Sequence, residues 1–232
     1  MMSKTIGIIG GMGPMATVDL FRKIVLHTKA ACDQEHIHIL IDNNTAIPDR
    51  TAALLSGGTD PLPQMSKSAR WLESGGADCL IMPCNTAHCF HSQLQKVVNI
   101  PLLNMLELTC QSMADNGVRC AGLLATNGTV QTGVYAHMAE RLGITLLTPD
   151  PEGQMAVMEL IYQGVKAGAE TFNTEKVCHA VDALRRSGAE TIVLGCTELP
   201  LAVELYHLTF PAVDPTLELA KGAIRFVGGT VR

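Results

Sequence analysis

A chain that spells nearly the same passage twice has few ways to fold, and this one does so. Gly76-Ala77-Asp78-Cys79-Leu80-Ile81-Met82-Pro83-Cys84-Asn85-Thr86 is echoed by Gly188-Ala189-Glu190-Thr191-Ile192-Val193-Leu194-Gly195-Cys196-Thr197-Glu198. Ile100-Pro101 returns as Phe210-Pro211, Leu106-Glu107-Leu108 as Leu217-Glu218-Leu219, and Ile6-Gly7-Ile8-Ile9 as Ala121-Gly122-Leu123-Leu124. The four offsets fall between 110 and 115 residues, the behaviour of a duplicated structural unit rather than of chance. Between the echoes, short β-branched runs alternate with segments of helical period. The spacing predicts a strand over Thr5–Ile9, a helix from Pro14 to about Ala30, a strand over His36–Ile41, a helix over Pro63–Ser74 and a strand over Cys79–Met82. Such alternation defines parallel sheets covered by helices. The expected architecture is therefore α/β: two similar α/β domains with parallel sheets related by pseudo-two-fold symmetry. Residues 1–104 plus 214–232 form the first and 105–213 the second, with the active site in the cleft between them.

Composition narrows the partners. Hydrophobic residues make up 47% of the 232 and charged residues 17%, enough apolar material for a buried core. The net charge of −5 and the absence of any Lys/Arg run argue against nucleic acid and anionic membranes. The first apolar stretch, Ile6-Gly7-Ile8-Ile9, is too short for a signal peptide or a membrane span, so a cytoplasmic location is expected. Eight irregularly spaced cysteines in such a chain are not a disulfide framework.

Cys84 and Cys196 stand apart from the other six because the echo gives both the same place, just past a buried strand. Open α/β sheets bind ligands at that end. Two thiols on opposite sides of a substrate carbon suit one reaction class in particular, the removal of a proton from one face and its return to the other. A thiol near a helix start or a cation is more readily ionised, so a thiolate and a thiol can coexist near neutral pH. Asn85, Thr86 and Thr197 are capping types, and the free N–H groups of a helix start favour a carboxylate. Arg50, after the Pro48-Asp49 turn, has the planar fork that clamps a carboxylate, and Lys166, between Gly164 and Gly168, lies in a loop or helix end.

Gly10-Gly11-Met12-Gly13-Pro14, Ile47-Pro48-Asp49-Arg50-Thr51, Met82-Pro83-Cys84-Asn85-Thr86-Ala87-His88 and Leu194-Gly195-Cys196-Thr197-Glu198 together resemble the aspartate/glutamate racemase family. The resemblance runs over essentially the whole chain and is closest to the family's aspartate racemases. It implies a homodimer that needs neither pyridoxal phosphate nor metal, acting on a small acidic amino acid. It implies Cys84 and Cys196 as the two catalytic bases. Substrate contacts are implied for Met12, Asp49, Arg50 and Thr51 in the first half, with Asn85, Thr86 and Ala87 beside the first cysteine. Thr126, Lys166 and Thr197 are implied in the second half. Some relatives carry Thr in place of one cysteine, whereas this chain keeps both. The Asp-Ser pair that the glutamate branch carries after its first strand is Gly11-Met12 here, which argues against D-glutamate synthesis.

Other readings compete. Gly11-x-Gly13-x-x-Ala16 between a strand and a helix satisfies a loose dinucleotide fingerprint, although Asp42 lies some thirty residues on rather than about twenty. Cys84, His88, Cys89 and His91 suggest a metal cluster, but on a helix only Cys84 and His88 share a face. His88 is then better placed to support Cys84 than to bind metal. A hydrolase or lyase with one cysteine nucleophile leaves the second cysteine unexplained. An amino-acid-binding protein without catalysis is the remaining alternative, and exchange of the substrate Cα–H with D2O separates it from an enzyme.

Overall fold

The computed structural model describes residues 4–232. They divide into two compact units, one running to Leu108 and resuming over Thr216–Arg232, the other Thr109–Pro215. The first unit contains β1 (Ile6–Gly10), α1 (Pro14–His27), β2 (Ile39–Asn43), α2 (Arg50–Leu55), α3 (Leu62–Ser74), β3 (Cys79–Ile81), a 3-10 turn (Thr86–Phe90), α4 (His91–Gln95) and the start of α5 (Met105–Asp115). The last helix, Pro215–Phe226, belongs almost wholly to it. Its sheet is parallel in the order β2-β1-β3. The second unit contains β4 (Cys120–Ala125), α6 (Asn127–Gln131), α7 (Val134–Glu140), β5 (Thr145–Leu147), α8 (Pro151–Glu159), a π-helical segment (Leu160–Val165), α9 (Glu175–Arg186), β6 (Thr191–Gly195), α10 (Glu198–Leu205) and β7 (Ala212–Val213). Its sheet is also parallel, in the order β5-β4-β6-β7.

Individual boundaries move. α1 ends at His27 rather than near Ala30, because the Thr28 hydroxyl turns back onto the Ile24 carbonyl at 2.6 Å while the backbone becomes extended. β2 begins at Ile39, three residues later than its apolar run, because pairing with β1 (Ile6 against Ile39, Gly10 against Asn43) sets its limits. β3 stops at Ile81, one residue short of the expected end.

Burial explains the pattern of each strand. In the first unit Ile6, Ile8, Cys79 and Ile81 meet Leu20 and Ile24 of α1 and Leu219, Ala223 and Ile224 of the last helix. The alternate residues Ile9, Leu80 and Met82 face Met65, Ala69 and Leu72 of α3. Both sheet faces are covered, which is why the strands read as apolar runs rather than alternating ones. In the second unit Leu124, Ile192 and Leu194 pack with Val157 of α8, Val181 and Leu184 of α9 and Leu199 of α10.

The sequence echo has a physical content that recurs inside each unit. Asp78 accepts the Thr5 N–H on its carboxylate at 2.7 Å and returns its own N–H to the Thr5 carbonyl. Glu190 does the same for the other central strand, accepting the N–H groups of Arg119 and Cys120 at 2.9 Å and donating to Cys120. Leu80 donates to the Pro101 carbonyl at 2.8 Å and Ile192 to that of Pro211 at 2.9 Å. Gly7 and Gly122 each lie where a β-carbon would crowd a neighbouring strand and the helix over it. A β-carbon on Gly7 would come 2.7 Å from Leu80, 2.9 Å from the β-carbon of Ala77 and 3.2 Å from that of Leu72. On Gly122 the nearest atoms are side-chain ends, Ile192 Cδ1 at 2.7 Å and Leu184 Cδ1 at 3.0 Å. Overpacking of a filled core costs about 1–3 kcal/mol. Gly7→Ala is expected at the upper end, against rigid β-carbons, and Gly122→Ala near about 1 kcal/mol, against side chains that can turn. Urea unfolding of the two variants checks the ranking.

Candidate active site

In the first unit the polypeptide after β1 is a glycine loop whose shape is fixed by hydrogen bonds. The Thr17 hydroxyl accepts the Gly11 N–H at 3.0 Å and donates to the Gly13 carbonyl at 3.2 Å. Gly11 has φ +89, and a side chain there would run into the backbone of Asn44, so glycine is required on both counts. The glycines are thus used for backbone approach. Arg50 is buried and its fork ties this loop to the next: one terminal nitrogen donates to the Met12 carbonyl at 3.0 Å, the other to the Pro48 carbonyl at 3.0 Å. Asp49 is exposed and caps α2, accepting the Ala52 N–H at 2.7 Å, and Thr51 is half-buried beside it.

Cys84 lies three residues past β3 and joins Leu80, Met82, Met12, Ile47 and Ala87 in one apolar cluster. The chain turns sharply there, the Cys84 N–H donating to the Met82 carbonyl at 2.9 Å. Cys84, Asn85, Thr86 and Ala87 are all buried. The helix start expected after Cys84 is instead a five-residue 3-10 turn, and Asn85 makes no side-chain cap. The anion-binding power of a full helix N-terminus is correspondingly smaller at this thiol. His88 is wholly buried between Nδ1, 2.8 Å from the Cys84 carbonyl, and Nε2, which accepts the Met105 N–H at 3.1 Å. Burial pushes its pKa down to about 4. His91 instead meets the Leu102 carbonyl at 2.8 Å, so the two imidazoles of the apparent metal set each serve a different backbone group.

In the second unit Cys196 extends the face of Ile192 and Leu194 and is buried. β4 and β6 pair up to Ala125 against Gly195, so Thr126 and Cys196 leave the sheet side by side. Thr126 caps α6, its hydroxyl accepting the Thr129 N–H at 3.3 Å. Thr197 begins α10 without a side-chain cap, and its hydroxyl donates to Glu198 at 3.3 Å. Glu198 is the residue that sequence reasoning missed. It is buried, and Oε2 accepts the Cys196 S–H at 2.9 Å. Burial first, then the Glu198 charge and hydrogen bond, drives the Cys196 thiol well above its ordinary range, with the Lys166 charge opposing them. The readily ionised thiol expected at a helix start is therefore not found at Cys196. The signal was the adjacency in Cys196-Thr197-Glu198, which places a carboxylate two residues from the thiol. Lys166 follows the π-helical segment on an exposed turn, with Nζ 4.5 Å from the centre of the Tyr162 ring.

Parallel α/β units with these strand-end residues are those of racemases, which are isomerases. The chain belongs to the Asp/Glu/hydantoin racemase family, whose model matches residues 9–223. The aspartate racemase of Picrophilus torridus superposes with a TM-score of 0.88 at 32% identity, over 99% of this chain and 96% of that one. An aspartate racemase homologue from Pyrococcus horikoshii shares the fold, with a TM-score of 0.78 at 24% identity over 97% of this chain and 99% of its own. The broad specificity amino-acid racemase RacX of Bacillus subtilis is 24% identical over 94% of this chain and 96% of its own length. Among the described residues no helix is long and apolar enough to cross a membrane.

His88 generates a pH-dependent prediction. It stays neutral in the folded chain down to about pH 4, whereas the same side chain in the unfolded chain takes up a proton near its ordinary value of 6.5. The unfolded state therefore binds more protons between these values, and stability falls as pH falls through that window. The full effect is about 3 kcal/mol, present above pH 6.5 and mostly lost by pH 4. Urea unfolding at pH 7 and pH 4.5 is expected to show a larger difference in the parent than in His88→Asn.

Proposed function

We propose that the chain racemises an acidic amino acid, aspartate before glutamate, by moving the Cα proton between Cys84 and Cys196 without a cofactor. The observation that carries the proposal is the equivalent position of the two thiols, each buried past the carboxyl end of its strand. One thiol in such a place is unremarked core; two in duplicated positions supply a base for either face of one carbon. The 32% identity to a protein named aspartate racemase supports the choice of substrate.

In the direction that begins at Cys84, its thiolate takes the Cα proton, leaving a carbanion whose charge spreads into the α-carboxylate. Cys196 then gives its S–H to the opposite face and becomes the thiolate. Burial and the neighbouring Glu198 raise the Cys196 pKa, so this thiolate is a stronger base than an ordinary one and regains a proton readily. In the reverse direction the same thiolate removes the proton and Cys84 returns one. Backbone N–H groups beside Asn85 and Thr86, and the hydroxyls of Thr126 and Thr197, are proposed to hold the α-carboxylate. Lys166 is proposed to address the distal carboxylate. For Arg50 the tie of its fork to the Met12 and Pro48 carbonyls supports shaping the glycine loop, and substrate contact is proposed for Met12, Asp49, Thr51 and Ala87.

A wider substrate range is the second reading, favoured by the match to RacX over nearly the whole chain. A homodimer is also proposed, supported by the exposed apolar side chains Met15, Val18, Phe21 and Leu26 on α1. Sedimentation equilibrium reads it directly.

Incubation with L- and D-aspartate in D2O is expected to give deuterium at Cα of the inverted enantiomer, with metal chelator present and no pyridoxal phosphate added. Cys84→Ser and Cys196→Ser should each lose racemisation by at least about a thousandfold, since a neutral hydroxyl is a far weaker base. Near-parental racemisation in either variant would overturn the two-base scheme. Turnover of alanine comparable to that of aspartate would replace the acidic substrate by the wider range.

A further inference from the structure

We infer that His88 is a positioning residue for Cys84: a neutral strut that fixes the Cys84–Asn85 peptide and so sets both the thiol and the amide beside it. The inference rests on the proposed role of Cys84 as a base.

The tautomer follows from the bonding. A backbone N–H can only donate, so Nε2, which receives the Met105 N–H at 3.1 Å, carries no proton. In this tautomer Nδ1 holds the ring proton and donates it to the Cys84 carbonyl at 2.8 Å, with the Leu103 backbone as a further partner of the ring. Both ring nitrogens are used, and neither is left to exchange a proton with substrate.

Each end of the strut meets a group that needs it. Met105 is the first residue of α5, where helical N–H groups lack partners within the helix. The next two, Leu106 and Glu107, are received by the Asn104 side chain at 3.0 and 3.2 Å, and His88 takes the one before them. At the other end, the Cys84–Asn85 peptide is trans, so drawing its carbonyl toward His88 turns the Asn85 N–H the opposite way. That N–H is one of the donors proposed for the α-carboxylate. The ring also stacks on His91 with centroids 5.9 Å apart, and His91 is itself tied to the Leu102 carbonyl, so the strut has a fixed support. An apolar side chain of equal volume would fill the space and leave the carbonyl free to turn.

Two substitutions separate the ends of the strut. His88→Asn places an amide N–H where Nδ1 stands and keeps the bond to Cys84; His88→Gln places a carbonyl oxygen near Nε2 and keeps the bond to Met105. Each is assayed at a temperature where circular dichroism shows it folded. His88→Asn is expected to keep kcat within about threefold of the parent, and His88→Gln to lose about ten- to a hundredfold in kcat, the scale of a small misplacement of reacting groups. The alkylation rate of Cys84 by iodoacetamide, read by mass spectrometry of its peptide, should follow kcat across the series. Equal activity of the two variants overturns the inference, whether both match the parent or both fall together. So does an active His88→Gln beside a His88→Asn that does not fold. Cys84→Ser in the same series keeps the two readings apart. If it is inactive while His88→Gln matches the parent, only the positioning role fails; if it is active, the two-base scheme fails first.

Discussion

The burial of β3 and β6 is the constraint on which the rest of each unit depends. Side chains along a strand alternate between faces, so Ile192, Leu194 and Cys196 fall on one side of β6, whereas Cys84 lies past a sharp turn after β3 and joins Leu80 and Met82 in their apolar cluster. The apolar members of each strand are held in the core by the helices over them, and Cys196, directly after β6, is carried along at the same parity. A slip of one residue in β6 would send that thiol to the other face along with every core side chain of the strand. The burial of each central strand is the strongest determinant available, and the glycines at Gly7 and Gly122 let neighbouring side chains lie close enough to enforce it.

Within that shared frame the two thiols have different electrostatic surroundings. Cys196 has a buried carboxylate at hydrogen-bond distance and is kept protonated. Cys84 has no acid in the corresponding place; Thr86 stands two residues on where the second copy has Glu198. Its carbonyl is instead anchored by a neutral imidazole. Duplication supplied the equivalent positions, and divergence of the following few residues made the environments unequal.

The α/β class and the parallel sheets were legible because they rest on periodicity and on strands buried on both faces, and both are local properties of the chain. The echo was legible for the same reason, and it singled out Cys84 and Cys196 among eight cysteines. The ends of α1 and β2 were not, since Thr28 and the pairing of Ile39–Asn43 act through hydrogen bonds that no window of sequence contains. Arg50 shows the same limit in a side chain. Its turn context suggested a fork that clamps a substrate carboxylate, yet it is buried with its fork on carbonyls of two loops, one of them 38 residues away. Glu198 was in view inside the motif, but its meaning depended on the rotation of α10 relative to the strand end.

The sequence by itself determined the parallel α/β class, the duplicated pattern and the two thiols at strand ends, because those follow from short-range periodicity repeated at a constant offset. Tertiary structure alone decided the surroundings of those thiols, the carboxylate beside Cys196 and the imidazole on the Cys84 carbonyl. A pKa, a tautomer and a carbonyl's direction are set by what surrounds a group in space, and the partners that set them reach across the fold, as Met105 does to His88 and Met12 to Arg50.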